Sequence, residues 1–582
     1  MGFFQTIAEG GQIWTHRVRM VRQVIRIAIL TSLAVGTLAF IQQMTQIPKM
    51  YYQSMWYYAK TQLQQAPDER ILVSTEFWSK VQKFSYSEKA IGVKRGPLEK
   101  ICKHNLTFLW QSTKKQALYS FFLCTKVFGF SMAFFLAKGL LSRRKKHIAG
   151  QKKTFPWPLA LQLRLKRKAA PLKLGVLPLV KGSESRHILV TGGTGSGKTN
   201  CFHNLLPQIR KKKQRALIVD TSGEFAAKYF REGQDILLNP FDERGVSWHP
   251  WCECRDPFDY KSLAQSFIPN INSEEENFWR KAAQEVFSAV LEMKSAEQKI
   301  SEAVHLLLYL PLEQLSQALR YTKAASFLDT NSERTAGSVR AVAASFLECL
   351  ELFENTETPF SIRDWVQTDT QDSWLFLACT PGQRASLIPV ISAWFSIAIR
   401  SLLQIEPDMH RRLWFVADEL ASLHRLKDLE VCLAESRKFG GCALLALQSP
   451  AQLEAIYGKE LARTILGNCA TRVAFAEQDP EIAARIAKAF GEKEQKELQE
   501  SISYGAHEMR YGVSLSSQSK TSSVVSATQI QSLNPHEAFV KLPGSFPITK
   551  LKLPYQNPAH ISRPFLKKNR FLSPTLPCWQ TQ

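Results

Sequence analysis

Two long stretches near the start of the chain carry almost no polar residues. Residues 27–41 (IAILTSLAVGTLAFI) are uncharged. With 24–26 added they reach a length that spans a bilayer, provided Arg26 snorkels to the interface. Residues 117–141 (ALYSFFLCTKVFGFSMAFFLAKGLL) form the second such run. Beyond residue 180 the apolar runs become short and end abruptly in polar residues: HILV at 187–190, ALIV at 216–219, LWFVA at 413–417 and CALLAL at 442–447. Short continuous apolar runs are the pattern of strands buried on both faces, as in a parallel sheet. From 248 to 355 the periodicity changes. Segments such as NFWRKAAQEVFSAVLEMK and RTAGSVRAVAASFLECLELF repeat their apolar residues at helical spacing, with no strand-like run between them. About 220 residues separate the run at 187–190 from the one at 413–417, far more than one strand–helix–strand crossover needs. The helical stretch is therefore expected to be an inserted all-α subdomain.

Charge orients the two spans. Arg17, Arg19, Arg22 and Arg26 precede the first, and Arg143, Arg144, Lys145 and Lys146 follow the second. Basic residues stay on the cytoplasmic side. The expected topology is a two-pass inner-membrane anchor over 1–142, with spans at about 24–41 and 117–141. Residues 42–116 then lie in the periplasm and both termini in the cytoplasm. A cleaved signal peptide is the alternative for the first run, because a basic start and a short apolar core fit one too. Lys126 sits inside the second span, where a charge is costly and faces other helices unless it snorkels. Residues 143–180 form a basic juxtamembrane linker, and 143–190 hold thirteen Lys and Arg against the single acid Glu184. Over the whole chain the formal net charge is +24. A surplus of that size calls for an anionic partner, either nucleic acid or lipid headgroups. The eleven cysteines leave only Cys102 in the outer segment, which excludes a disulfide scaffold there. Cys252 and Cys254 make a lone pair without the second pair a zinc site requires.

The strand-like HILV leads into GGTGSGKT, Gly192 to Thr199. Gly192, Gly193, Thr194, Gly195, Ser196 and Gly197 give a backbone that can curl its N–H groups around phosphates. Lys198 supplies an ammonium for the β and γ phosphates, and Thr199 a hydroxyl for Mg²⁺. The following NCFHNLLPQI starts a helix whose positive end faces the same anion. ALIV ends in Asp220, with Gly223 and Glu224 behind it. Either an acid serving the site or a plain strand-end turn fits that pattern. LWFVA ends in Asp418 and Glu419, as a Walker B strand does: Asp418 would hold the Mg²⁺ and Glu419 would act as general base on the attacking water. Gln448, at the end of CALLAL, stands where an amide can sense the γ-phosphate. The expected fold is α/β, with a RecA-like P-loop NTPase domain over 181–247 and 356–582, the all-α insert over 248–355, and two transmembrane helices ahead of both.

Through most of its length the chain resembles the TraD/TrwB class of type IV coupling proteins, conjugation motors related to FtsK-like translocases. The matching segments are GGTGSGKT, IVDTSGEF, ILLNPFDERGVSWHPW, ENFWRKAA, WFVADELASLHRL, LAESRKFGG and LALQSPAQL. The resemblance implies a homo-hexameric ATPase that binds ATP and Mg²⁺ and moves single- or double-stranded DNA. It also implies relaxase or relaxosome proteins, and type IV secretion channel proteins, as partners. Residue by residue it makes Lys198 and Thr199 nucleotide ligands, Asp418 and Glu419 the Walker B pair and Gln448 the sensor. Arg437, in ESRKFGG, becomes an arginine finger for a neighbouring subunit. Some relatives carry a long acidic C-terminal tail for docking, whereas this sequence runs from the strand-like EAFVKLPG to the basic FLKKNR, so docking through such a tail is not expected. A receptor that passes effector proteins without gripping DNA would keep the same ATPase motifs. An ABC transporter would not, since no LSGGQ-like signature lies between the loop and Asp418.

Overall fold

The structure, a computed structural model, describes residues 3–568 apart from 64–65, 67, 83–88, 143–145, 272, 329–332, 355, 369–371 and 504–511. Three members of the basic block after the second span (Arg143, Arg144 and Lys145), and the insert's expected last residue, Asn355, lie outside the described residues. Two compact units emerge, residues 1–146 with 497–518, and 147–496 with 519–582.

In the first unit, two long helices contain the apolar runs. Helix α1 covers Phe3–Thr45. Later in the chain come α2 (Lys49–Leu63), β1 (Arg70–Ser74), α3 (Thr75–Gln82), β2 (Ala90–Lys94) and α4 (Arg95–Ser142). Apolar side chains such as Leu30, Leu38, Phe122 and Phe130 point outward from the long pair, as they would toward lipid. The helices meet along small residues: Ala28 and Ser32 of α1 are buried, and a Cβ added at Gly36 would overlap Cys124 Sγ. Small residues one turn apart let two backbones approach closely where water cannot drive association. Lys126 is exposed, on a face turned away from this contact. The segment between the two apolar runs, whose interior the sequence left blank, has its own small core. There β1 and β2 pair antiparallel, and Phe77, Trp78, Val93 and Leu98 close over them.

The second unit is built on a ten-stranded sheet. In chain order its strands are β3 (Lys153–Thr154), β4 (Ile188–Thr191), β5 (Arg215–Asp220), β6 (Ile236–Leu238), β7 (Trp374–Ala378), β8 (Leu413–Ala417), β9 (Gly441–Leu447), β10 (Thr471–Ala474), β11 (Glu537–Lys541) and β12 (Ile548–Lys552). Their order across the sheet is β3-β12-β11-β10-β4-β9-β8-β5-β7-β6. From β10 to β6 all neighbours are parallel, while β10–β11 and β11–β12 are antiparallel. Strands β4, β5, β7, β8 and β9 are buried along their whole length, which is why their sequences read as unbroken apolar runs.

Helices cover both faces of the sheet. One face carries α5 (Lys198–Lys211) and α6 (Glu224–Tyr229). The other carries the insert between β6 and β7, whose regular elements among the described residues are all helical and include α7 (Pro257–Phe267), α8 (Glu274–Met293) and α9 (Glu333–Leu347). Helix α10 (Arg384–Leu403) links that insert to the sheet, because Trp394, Phe395 and Ile399 on it belong to one apolar cluster with Trp248 and Phe287 on the insert side and Leu217 and Phe415 on the sheet side. The helical insert therefore shares its core with the sheet. Length and hydropathy alone would let this helix cross a membrane, but its side chains are almost all buried in the unit. Two polar twelve-residue strands, Glu492–Ser503 and Gly512–Ser523, had no counterpart in the sequence reading, because neither shows an apolar alternation.

Candidate functional site

The sheet's parallel order puts the C-terminal ends of β4, β9 and β8 side by side, and the three motifs stand at those ends. At residues 192–199 the loop after β4 turns through three glycines with positive φ: Gly192 at 151°, Gly195 at 72° and Gly197 at 115°. A Cβ at Gly192 would meet Phe475 Cβ and Ser196 Oγ at 2.8 Å, so only glycine fits there. The loop is tied down from two sides, by the Gly193 N–H donating to the Ala476 carbonyl at 2.8 Å and the His536 N–H donating to the Ser196 carbonyl at 3.0 Å. Ser196 Oγ donates to the Gly193 carbonyl at 2.7 Å, and Thr194 and Gly195 at the tip are exposed.

Lys198 folds back on the loop. Its Nζ donates to the carbonyls of Gly192 at 2.8 Å and Gly193 at 2.9 Å. Burial lowers its proton affinity, while Glu419, Asp418 and Glu477 nearby act in the opposite sense. Thr199 Oγ1 donates to Asp418 Oδ2 at 2.8 Å. The other oxygen of that carboxylate, Oδ1, is buried with no hydrogen-bond partner. A buried ionised oxygen without a partner is expensive. One beside a threonine hydroxyl and a phosphate-type loop fits a divalent cation with oxygen ligands. Glu419, next along, has its proton affinity raised by burial, against the opposing pull of Lys198 and a hydrogen bond from Gln448. Its Oε1 is likewise buried and unpartnered. Gln448 follows β9, which lies between the loop strand and the Asp418 strand, and so comes beside Glu419.

Arg437 is not part of this gathering. It is exposed and precedes β9, at the opposite end of strands that run parallel to β4. The length of β9 is seven residues, or about 20 Å, more than an arginine can reach. Asp220 also turns out to be structural: its carboxylate accepts from the N–H groups of Ser222, Gly223 and Ala226 at 2.8–3.2 Å and from the Ser222 hydroxyl, closing the turn that starts α6. Of the two readings left open for it, this is the plain strand-end turn. Cys252 lies 3.2 Å from His249 Nδ1, yet among the described residues no group of three or more His, Cys, Asp or Glu side chains is placed to hold a metal.

Two neighbours of the loop escaped the sequence reading. The Glu477 carboxylate would be 3.7 Å from a Cβ at Gly193 and acts on Lys198. Its one signal was an acid soon after the strand TRVA. His536 has its Nδ1 2.9 Å from where a Gly197 Cβ would be, and its ring lies 5.4 Å from that of Tyr555. Both help line a cavity of about 900 Å³ that runs along α5. No local signal marks His536, which reaches the loop only through β11.

Comparison with known proteins places this geometry. Residues 171–554 match the sequence model of the type IV secretion-system coupling protein DNA-binding domain. The coupling protein TraD of Escherichia coli (strain K12) is 34% identical over 471 residues, which are 79% of this chain and 65% of that protein. The chain thus spans about 65% of that relative's length. Among solved structures, the unbound conjugative coupling protein TrwBdeltaN70 superposes with a TM-score of 0.66 at 26% identity, covering 73% of this chain and 97% of that one. TrwB in complex with ADP and Mg²⁺ gives a TM-score of 0.65 at 25% identity, covering 73% and 98%.

Proposed function

Because this chain belongs to the type IV secretion-system coupling proteins, we propose that it is an inner-membrane ATPase that binds ATP and Mg²⁺ and drives DNA, with its relaxase, toward a secretion channel. The observation that carries the reading is the Thr199–Asp418 hydrogen bond beside a carboxylate oxygen that has no partner. TrwB, which shares the fold, is recorded with ADP and Mg²⁺ and with a non-hydrolysable ATP analogue.

Each residue then has a task. On binding, Lys198 exchanges the Gly192 and Gly193 carbonyls for β- and γ-phosphate oxygens, and the loop N–H groups take the remaining negative charge. Thr199 and Asp418 would hold Mg²⁺, which would supply neutralisation of the phosphate charge. Glu419 accepts a proton from the attacking water, and its raised proton affinity suits a base in a dry site. Gln448, already against Glu419, orients the water toward the γ-phosphate. Arg437 serves the site of a neighbouring subunit in a hexamer. Helices α1 and α4 form the two-pass anchor, with residues 42–116 in the periplasm and both termini in the cytoplasm.

The test uses the full chain in nanodiscs. Adding single- or double-stranded DNA is expected to raise ATP hydrolysis several-fold, and DNA affinity is expected to fall steeply with salt, with a log–log slope of about −0.7 to −0.9 per phosphate contacted. ATP turnover indifferent to DNA, with weak and salt-insensitive binding, would turn the assignment toward a receptor that passes proteins only.

A further inference from the structure

Beside the Thr199–Asp418 pair lies a group of buried polar side chains that the scheme above leaves without a role. His203 sits one helical turn beyond Thr199 on α5 and is buried. Its Nδ1 is 2.9 Å from the Tyr229 hydroxyl, and its Nε2 donates to Glu224 Oε1 at 3.1 Å. Lys228, also buried, donates to the same Oε1 at 2.7 Å. Glu224 itself remains 41% exposed.

Topology brings this carboxylate to the catalytic end of the sheet. β5 and β8 are adjacent and parallel, with Val219 opposite Ala417. The next residues along them are Asp220 and Asp418, and Glu224 begins the helix that the Asp220 turn creates. From the other side, α5 carries Thr199, which bonds Asp418, and His203, which bonds Glu224. Both His203 and Glu224 act electrostatically on the Asp418 carboxylate. Stability gives no reason for the arrangement: an acid at a helix start is favourable without help, whereas burying an ammonium and an imidazole to hold it is not. What two buried donors on one oxygen do achieve is a fixed orientation, and no side chain among the described residues bonds Glu224 Oε2.

We infer that Glu224 is an outer-sphere acid of the metal site formed by Thr199 and Asp418, its Oε2 accepting a hydrogen bond from a water on the ion, with His203 and Lys228 as positioning residues. Partners of this kind commonly change metal affinity 10- to 100-fold without touching the ion. The inference rests on the Mg²⁺–nucleotide reading, and its test separates the two.

The probe is Mn²⁺, with free ion followed by electron paramagnetic resonance during titration of the full chain in nanodiscs with ADP. Glu224→Gln is expected to weaken Mn²⁺ binding by about 10-fold or more, while ADP affinity measured in EDTA stays unchanged. Glu224→Asp should fall between this variant and wild type, and His203→Gln should show a smaller loss of the same kind. Should Glu224→Gln fail to fold, the latter two variants decide. Equal Mn²⁺ affinity for wild type and the folded variants overturns the role of Glu224 and leaves the nucleotide site standing. A wild-type chain that holds no more Mn²⁺ than ADP alone overturns both.

Discussion

Thr199 and Asp418 are 219 positions apart in sequence and 2.8 Å apart in space. Each was legible because its signal is local: a glycine loop before a lysine, and an apolar run stopped by an acid. Asp220 gave the same strand-end signal as Asp418, and only hydrogen bonds distinguish them: Asp220 closes a turn on backbone N–H groups, whereas Asp418 accepts from Thr199. Glu477 and His536 arrive through strands remote from the loop in sequence; an acid soon after TRVA is the one hint of the first, and nothing local announces the second. For Glu419, at the end of the same strand as Asp418, the expected outcome of Glu419→Gln is ATP binding within a few-fold of wild type and hydrolysis slower by about 10²–10⁴; filter binding and phosphate release measure the two. His187 yields a prediction of another kind. Its Nε2 donates to the Leu433 carbonyl at 3.1 Å and its Nδ1 accepts from the Ala443 N–H at 3.1 Å, which fixes the ring as neutral. Burial pushes its pKa down to about 4 from 6.5. A depressed base resists protonation when folded and not when unfolded. As pH falls from about 6.5 toward 4 this residue alone should therefore cost about 3 kcal/mol of stability. Urea melts at pH 7 and pH 5 are expected to differ less in His187→Gln than in wild type.

At the scale of elements, helices and buried parallel strands were readable from periodicity, because each has a face or a run that must leave water. Whether a given apolar helix would cross a membrane was not so simply readable. α10 is apolar and long enough to cross a membrane, as α1 and α4 are, yet its Trp394 packs against Trp248 and Phe353 and its Phe395 against Phe415. What marks it as a core helix in the sequence is its surroundings: it lies among strand-like runs, with LWFVA at 413–417 following within ten residues. The polar strands after residue 491 were illegible because backbone pairing holds a strand without any apolar signature. The contact between α1 and α4 makes a direct claim about the anchor. Cys124 Sγ approaches the Ser32 carbonyl to 3.2 Å, so Ser32→Cys is expected to crosslink to Cys124 within one chain under mild oxidation. Adding Gly36→Leu should suppress that crosslink, since its Cβ alone would overlap Cys124 Sγ. Thiol-reactive mass tagging reads both, and unchanged crosslinking in the double variant would show that the helices pair elsewhere.

For the whole molecule, net charge bears on the anionic partner and Arg437 on the proposed assembly. The surplus of +24 is not confined to the membrane collar: Lys459, Arg463, Arg485 and Lys488, all on the second unit, surround a cavity of about 520 Å³ in which Glu454 is the one acid. The proposed role of Arg437 makes assembly a requirement for chemistry. It lies about 20 Å of strand away from the loop of its own chain, so a contribution to hydrolysis must come from the arginine of a neighbour. In a ring with head-to-tail contacts each site would combine the loop of one subunit with the Arg437 of the next. Lys198→Ala subunits then keep a good arginine beside a dead loop, and Arg437→Ala subunits keep a good loop but offer no arginine. Each variant alone should hydrolyse ATP poorly. Mixed in equal amounts and reassembled, they should recover up to about a quarter of wild-type activity, the fraction of interfaces that pair an intact loop with an intact arginine in random rings. A steady-state ATPase assay across mixing ratios should peak near equal amounts. If the arginine acted within its own chain, no ratio would restore turnover.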